Sequence, residues 1–146
     1  MKIKRIRIEN FRSFLDETVF LNRYSCFVGP NGAGKSTVLA ALNVFFQERA
    51  AATDISKLID EDYFRKDTAH PARITLVFDD LHQRAREELA AYIRQDELVV
   101  TAEAIFDDAT GVGAVRHYGQ RLGMEVYRAF FEAEKAGAKA GDLAPI

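Results

Sequence analysis

Apolar residues near the start of the chain come in short runs divided by polar pairs, the signature of strands rather than of one long helix. Ile6 and Ile8 share a strand face while Ile3 falls on the other, so Lys2–Glu9 is expected to be a strand. Asn10-Phe11-Arg12-Ser13-Phe14 reads as the connector after it. Thr18-Val19-Phe20-Leu21, bounded by Asp16-Glu17 and Asn22-Arg23, predicts a short second strand antiparallel to the first. Tyr24–Val28 is apolar enough to predict a third strand buried on both faces. The period then changes. Val38, Leu42 and Phe45, flanked by Leu39 and Phe46, recur at i, i+4 and i+7, which predicts a helix from Lys35 to about Gln47 with one face on the core.

The second half alternates again. Residues 50–71 are irregular and acid-rich and are expected to form a surface excursion, with a helical piece near Ile55–Ile59. Ile74, Leu76 and Phe78 alternate with Thr75 and Val77, predicting a strand over Arg73–Phe78. Leu81, Ala85, Leu89, Tyr92 and Ile93 mark an amphipathic helix, with Asp79 or Asp80 as its N-cap. Glu97–Phe106 and Ala114–Gln120 predict a hairpin across the loop from Asp107 to Gly113. A last helix is expected over Met124–Ala136, stopped by Gly137, followed by a tail without core signal.

Composition narrows this to one globular unit. The chain has 146 residues, 48% hydrophobic and 29% charged, which suits a single domain and excludes a disordered one. Its expected parts are residues 1–48 (strands, glycine loop and helix), 49–72 (the excursion), 73–136 (a β/α region) and 137–146 (a tail). A net charge of −2 advertises no field for nucleic acid. No apolar run approaches the roughly 20 residues of a membrane span, and Met1-Lys2-Ile3-Lys4-Arg5 leads into no signal core, so a cytoplasmic protein without membrane contact is expected. The single cysteine, Cys26, excludes an internal disulfide and reads as a small core residue.

One motif carries chemistry. Gly29-Pro30-Asn31-Gly32-Ala33-Gly34-Lys35-Ser36 matches G-x-x-x-x-G-K-[ST] at every fixed position, between an apolar run and a helix start. Its glycines allow the tight curl that turns successive N–H groups inward onto phosphate oxygens, and the helix adds its positive end. The expected ligands of ATP–Mg²⁺ are therefore Gly29, Asn31, Gly32, Ala33, Gly34, Lys35, Ser36 and Thr37. Lys35 would reach the β- and γ-phosphates, the Ser36 hydroxyl would hold Mg²⁺, and Thr37 would lie at the α-phosphate. No Asn-Lys-x-Asp guanine-reading motif occurs, which argues against a guanine nucleotide.

Ile6-Arg7-Ile8-Glu9-Asn10-Phe11-Arg12-Ser13-Phe14, followed by Phe27-Val28 and the glycine loop, resembles the N-terminal start of the RecF/SMC/OLD group of ABC-type ATPases. The likeness covers residues 1–48. More loosely, Ile59-Asp60-Glu61-Asp62-Tyr63-Phe64 and the strand Arg73–Phe78 resemble OLD-family nucleases of the GajA type. The resemblance implies an α/β P-loop NTPase fold, an N-terminal lobe with an antiparallel β subdomain and flanking helices. It also implies that Arg12 lies against the nucleotide phosphates, where a guanidinium binds phosphate in bidentate fashion. Phe11 and Phe14 are expected to be core anchors.

Two segments imitate a Walker B strand: Ile74–Phe78 with Asp79-Asp80, and Val99–Phe106 with Asp107-Asp108. Were Asp79 the metal carboxylate, the chain would be a self-sufficient small ATPase or kinase. Thr75 interrupts that run, and the following strands pair by a turn rather than through crossover helices. No Leu-Ser-Gly-Gly signature occurs, and Gln95 and Gln120 lack the context of a Q-loop. His70, His82 and His117 are isolated and read as surface or loop residues. Lys2, Lys4, Arg5 and Arg7 with Arg116, Arg121 and Arg128 offer basic side chains, read first as charge protecting a strand edge. The expectation is an ATP-binding lobe of a longer DNA-processing or phage-defence protein, reaching DNA and a homodimeric head partner only through that parent. The alternatives are the small enzyme using Asp79 and a non-catalytic interaction module.

Overall fold

The computed structural model describes residues 1–47 and 57–120. Its strands are β1 (Lys2–Phe11), β2 (Phe14–Phe20), β3 (Lys57–Leu58), β4 (Ala72–Asp79), β5 (Ile93–Arg94), β6 (Glu97–Asp107) and β7 (Val112–Gly119), with helices α1 (Lys35–Phe46) and α2 (Gln83–Glu88). The strands form one sheet in the order β2-β1-β4-β6-β7-β3, with β5 beside β6, and each pairing among the described residues is antiparallel. An α/β fold built on an antiparallel sheet is thus in place. The expected helix over Met124–Ala136 lies outside the described residues, as do residues 55 and 56 of the helical piece expected near Ile55–Ile59. The described part of that piece is not helical, because Lys57–Leu58 pair with β7 as a strand.

Register explains the core. Ile6 faces Leu76 and Ile8 faces Ile74, while Leu76 faces Val100 and Ile74 faces Ala102, so these side chains share one face. Helix α1 covers that face with Val38, Ala41, Val44 and Phe45, all buried in the same cluster as Ile6, Ile8, Ile74 and Leu76. The opposite face carries cross-strand polar pairs instead, as an antiparallel sheet with one solvated side allows. Arg73 sits opposite Glu103 and is paired with it through Nε at 2.5 Å, and the Thr75 and Thr101 hydroxyls meet at 2.9 Å.

Helix α1 ends where its last carbonyls need partners. His117 on β7 supplies one, its Nε2 donating to the Phe45 carbonyl at 2.7 Å while its ring meets Phe45 edge to face. His117 is therefore exposed, as expected, and also a tie between sheet and helix. His82 is engaged as well. Its side chain caps α2 by accepting from the Ala85 N–H, displacing the expected Asp79 or Asp80. The helix expected to continue through Ile93 stops at Glu88, because β6 takes Ile93 and Arg94 as a paired strand.

Two expectations are overturned. Tyr24–Val28 forms no strand, and Tyr24 and Val28 are each 90% exposed. Cys26 is exposed with them rather than buried. The run is apolar, but among the described residues the seven-stranded sheet is built without it, and within it Phe27 alone packs partly against the core. Conversely, the supposed surface excursion contributes to the core. Leu58 and Tyr63 are buried, and the Tyr63 hydroxyl donates to the Ala104 carbonyl at 3.3 Å. That hydroxyl stands 2.0 Å from where a Gly113 Cβ would be, so only glycine fits β7 there.

Candidate nucleotide-binding site

The glycine loop leads into α1 without a side-chain cap. Gly34 is the N-cap in the left-handed conformation (φ 84°), and the first turn carries no acidic residue. The N–H groups of Thr37 and Val38 return to the Gly34 carbonyl, while those of Lys35 and Ser36 have no intrahelical acceptor. An uncapped, uncompensated positive helix end of this kind suits an anion. Lys35 folds over the loop, its Nζ donating to the carbonyls of Gly29 at 2.6 Å and Pro30 at 2.7 Å. Asn31, Gly32, Ala33 and Ser36 are exposed around it, and Gly34 is buried. The donor set therefore fits a polyphosphate: one flexible cation, free amides and an accessible hydroxyl.

Phe14 supports this loop from below. A Cβ on Gly34 would stand 2.3 Å from Phe14 Cζ, so ring and loop are in direct contact. The residue before it does the same by hydrogen bond, Ser13 Oγ meeting Thr37 Oγ1 at 2.7 Å. Thr37 is buried, and its hydroxyl is engaged with Ser13. The connector after β1 is thus fastened to the loop at two successive residues. Spacing in the sequence carried no sign of either contact.

Arg12, the third connector residue, is held by the 59–70 segment. It has φ 50°, and its backbone N–H donates to the Asp62 carbonyl at 2.8 Å. Its Nε donates to Asp62 Oδ1 at 2.9 Å, and its guanidinium lies 5.3 Å from the centre of the Phe11 ring. Asn10, also at positive φ, is buried and donates its amide to the carbonyls of Asp67 and His70. Both residues therefore bind the 59–70 segment to the end of β1. A cavity of about 890 Å³ opens there, lined by Arg12, Ser13, Lys57, Asp62, Tyr63 and Arg65 among others. Burial, with the negative charge of Asp62 as a smaller cause, pushes the Tyr63 phenol up to about 12.

Asp79 is far from all of this. It pairs with Lys2 at the opposite end of β1 from Phe11, and Phe11 faces Phe14. The nine-residue offset along β1 separates the two ends by roughly 30 Å at 3.3 Å per residue. Asp79 makes a long ion pair with Lys2 at 3.9 Å, and β4 runs antiparallel to β1. Asp107 and Asp108 close the β6–β7 hairpin, Asp107 accepting from Ala109 and Thr110. Among the described residues no group of three or more His, Cys, Asp or Glu side chains is placed to hold a metal ion.

A sequence profile of the family described as AAA ATPase domain matches residues 1–129. The chain belongs to that AAA ATPase family. Among similar proteins, an OLD nuclease of Thermus scotoductus is 31% identical over 90 residues, 62% of this chain and 17% of the nuclease. A chromosome partition protein Smc of Thauera aminoaromatica is 31% identical over 98 residues, 63% of this chain and 8% of that protein. Structural maintenance of chromosomes protein 1B of mouse is 30% identical over 81 residues, 52% of this chain and 6% of that protein. These relatives match the RecF/SMC/OLD group that the N-terminal motifs resemble. The AAA ATPase chain spans less than a fifth of the length of each of them.

Proposed function

We propose that this AAA ATPase domain is the ATP–Mg²⁺-binding lobe of an ABC-type ATPase that works within a longer DNA-handling protein, with an OLD-like ATP-dependent nuclease as the parent. The observation that carries the proposal is the uncapped start of α1, with Gly34 in the left-handed conformation and Lys35 bonded to two loop carbonyls. In this role Lys35 exchanges those carbonyls for the β- and γ-phosphate oxygens, and the loop amides take the remaining acceptors. Ser36 is the residue that would hold Mg²⁺, which supplies charge neutralisation between the β- and γ-oxygens. Thr37 keeps the start of α1 against Ser13, and Arg12, next to Ser13, would offer its guanidinium to phosphate.

Two further observations favour a lobe over a self-sufficient enzyme. Asp79 stands at the wrong end of β1 for a metal ligand beside the loop. The exposed Tyr24–Val28 run, leading straight into the loop, has the composition of a buried strand and suits a sheet completed by another part of the parent. Contact with DNA belongs to the assembled parent. Arg7 is paired with Asp16 and Glu9, Arg73 with Glu103, and Lys4 with Glu97, so the basic side chains of this sheet are largely neutralised. No helix of the described residues is long and apolar enough to cross a membrane.

The test is ATP turnover by the purified chain and by its Lys35→Ala and Asp79→Ala forms. A lobe binds ATP–Mg²⁺ and turns it over negligibly in all three. Appreciable turnover that both substitutions abolish would establish the small-enzyme alternative instead.

A further inference from the structure

The pairing of Arg12 with Asp62 joins residues fifty positions apart and is built from both sides. Asp62 Oδ1 accepts from Arg12 Nε, and its Oδ2 accepts from the Ile59 N–H at 3.2 Å. With both oxygens engaged, the carboxylate cannot swing away without losing a backbone partner. Its side chain is only 14% exposed, against 41% for Arg12, so the acid is the fixed member and the guanidinium the presented one. A second backbone bond, from the Arg12 N–H to the Asp62 carbonyl, fixes where the side chain starts. The Phe11 ring limits it on one side.

The choice of nitrogen matters. Asp62 uses Nε, which leaves the edge formed by the two terminal nitrogens, and two parallel N–H donors suit two oxygens of one phosphate. Arg12 and Asp62 both line the 890 Å³ cavity, as do the cations Lys57, Arg65 and Lys66. Ser13, the next residue, is bonded to Thr37 of α1, so Arg12 is one residue from a tie to the first turn of α1.

We propose that Asp62 is the positioning residue for Arg12, holding Nε so that the terminal nitrogens of the guanidinium meet a nucleotide phosphate. This rests on the phosphate-binding role of Arg12 given above. Chemistry supplies a clear sign test. An acidic group near a bound polyphosphate repels it, so removing Asp62 would raise ATP affinity if charge alone mattered. Removing a positioning group lowers it instead, because the freed arginine must be ordered again on binding.

The experiment is calorimetric titration of ATP–Mg²⁺ into the full chain and its Asp62→Ala, Asp62→Asn, Arg12→Ala and Arg12→Ala/Asp62→Ala forms, with melting temperatures taken alongside. Arg12→Ala is expected to weaken binding by about 10- to 100-fold, the range of one charged hydrogen-bonding group. Asp62→Ala weakens it by about 10-fold, and Asp62→Asn, which keeps an acceptor for Nε and is the deciding variant if the alanine form melts early, by roughly 3-fold. The double variant binds no more weakly than Arg12→Ala alone. Unchanged or tighter binding by Asp62→Ala and Asp62→Asn overturns the proposal. So does a loss that persists undiminished in the Arg12→Ala background, which marks a structural role and leaves the phosphate role of Arg12 standing. Arg12→Ala binding like the unaltered chain removes that role and the proposal together.

Discussion

Gly34→Ala places a methyl group where the ring of Phe14 already stands. The new Cβ would lie 2.3 Å from Cζ and 2.4 Å from Cε1, well inside carbon–carbon contact, and the backbone there is at φ 84°. The costs have separate origins. An L-residue in the left-handed region costs about 1–2 kcal/mol, and forcing a ring aside in a packed site costs about 1–3 kcal/mol. Together they destabilise the fold by roughly 2–5 kcal/mol, a large share of the 5–15 kcal/mol typical of a domain. Urea unfolding followed by circular dichroism reads this as a midpoint lowered by about 1–2 M. Phe14→Leu separates the parts. In that background the same substitution loses most of its steric cost and keeps the conformational one, about 1–2 kcal/mol. A cost below about 0.5 kcal/mol, or an equal cost in both backgrounds, refutes the contact between Phe14 and the loop.

Other outcomes follow from the same geometry. His117→Ala removes the hydrogen bond to the Phe45 carbonyl and the edge-to-face ring contact, and should lower stability by about 1–2 kcal/mol in urea unfolding. Tyr63 is held up to about 12, above its unfolded value near 10, so its contribution is complete below pH of about 10 and is lost as pH rises through about 12. The chain should therefore lose stability relative to Tyr63→Phe between those values, and parallel pH profiles for the two would contradict the burial of the phenol. Asp79→Ala should leave ATP–Mg²⁺ affinity unchanged within about 2-fold, the ordinary scatter of a surface substitution. A loss of about 100-fold would restore Asp79 to the site.

The loop and α1 were legible because they combine fixed residues with a 3.6-residue period. Of the expected stripe, Val38 and Phe45 are buried and Leu42 half-buried, whereas Leu39 and Phe46 are exposed; Ala41 and Val44 complete the buried face. The hairpin of β6 and β7 was legible for a similar reason: alternation plus a turn-rich break is local information. Tyr24–Val28 shows where such patterns stop. An apolar run states a demand for burial, not the presence of something to meet it. The 81–93 stretch fails differently, since its helical spacing is real but Ile93 gains more from pairing with Leu98 on β6. The site divides along the same line. Lys35 and Ser36 announce themselves by motif, whereas the partner of Arg12 lies in an acidic stretch fifty residues on, and only the closing of the 59–70 segment over β1 selects Asp62 from its neighbours Asp60 and Glu61.

Whether this lobe is built to grip a nucleotide is decided by calorimetric titration of ATP into the chain, with and without Mg²⁺ and beside Lys35→Ala. Saturable, Mg²⁺-dependent binding is expected, weakened about 100-fold by Lys35→Ala, as loss of a charge-assisted phosphate contact should do. No binding at millimolar ATP–Mg²⁺, or equal binding by the two chains, would contradict the nucleotide role and leave a glycine loop that only shapes the start of α1.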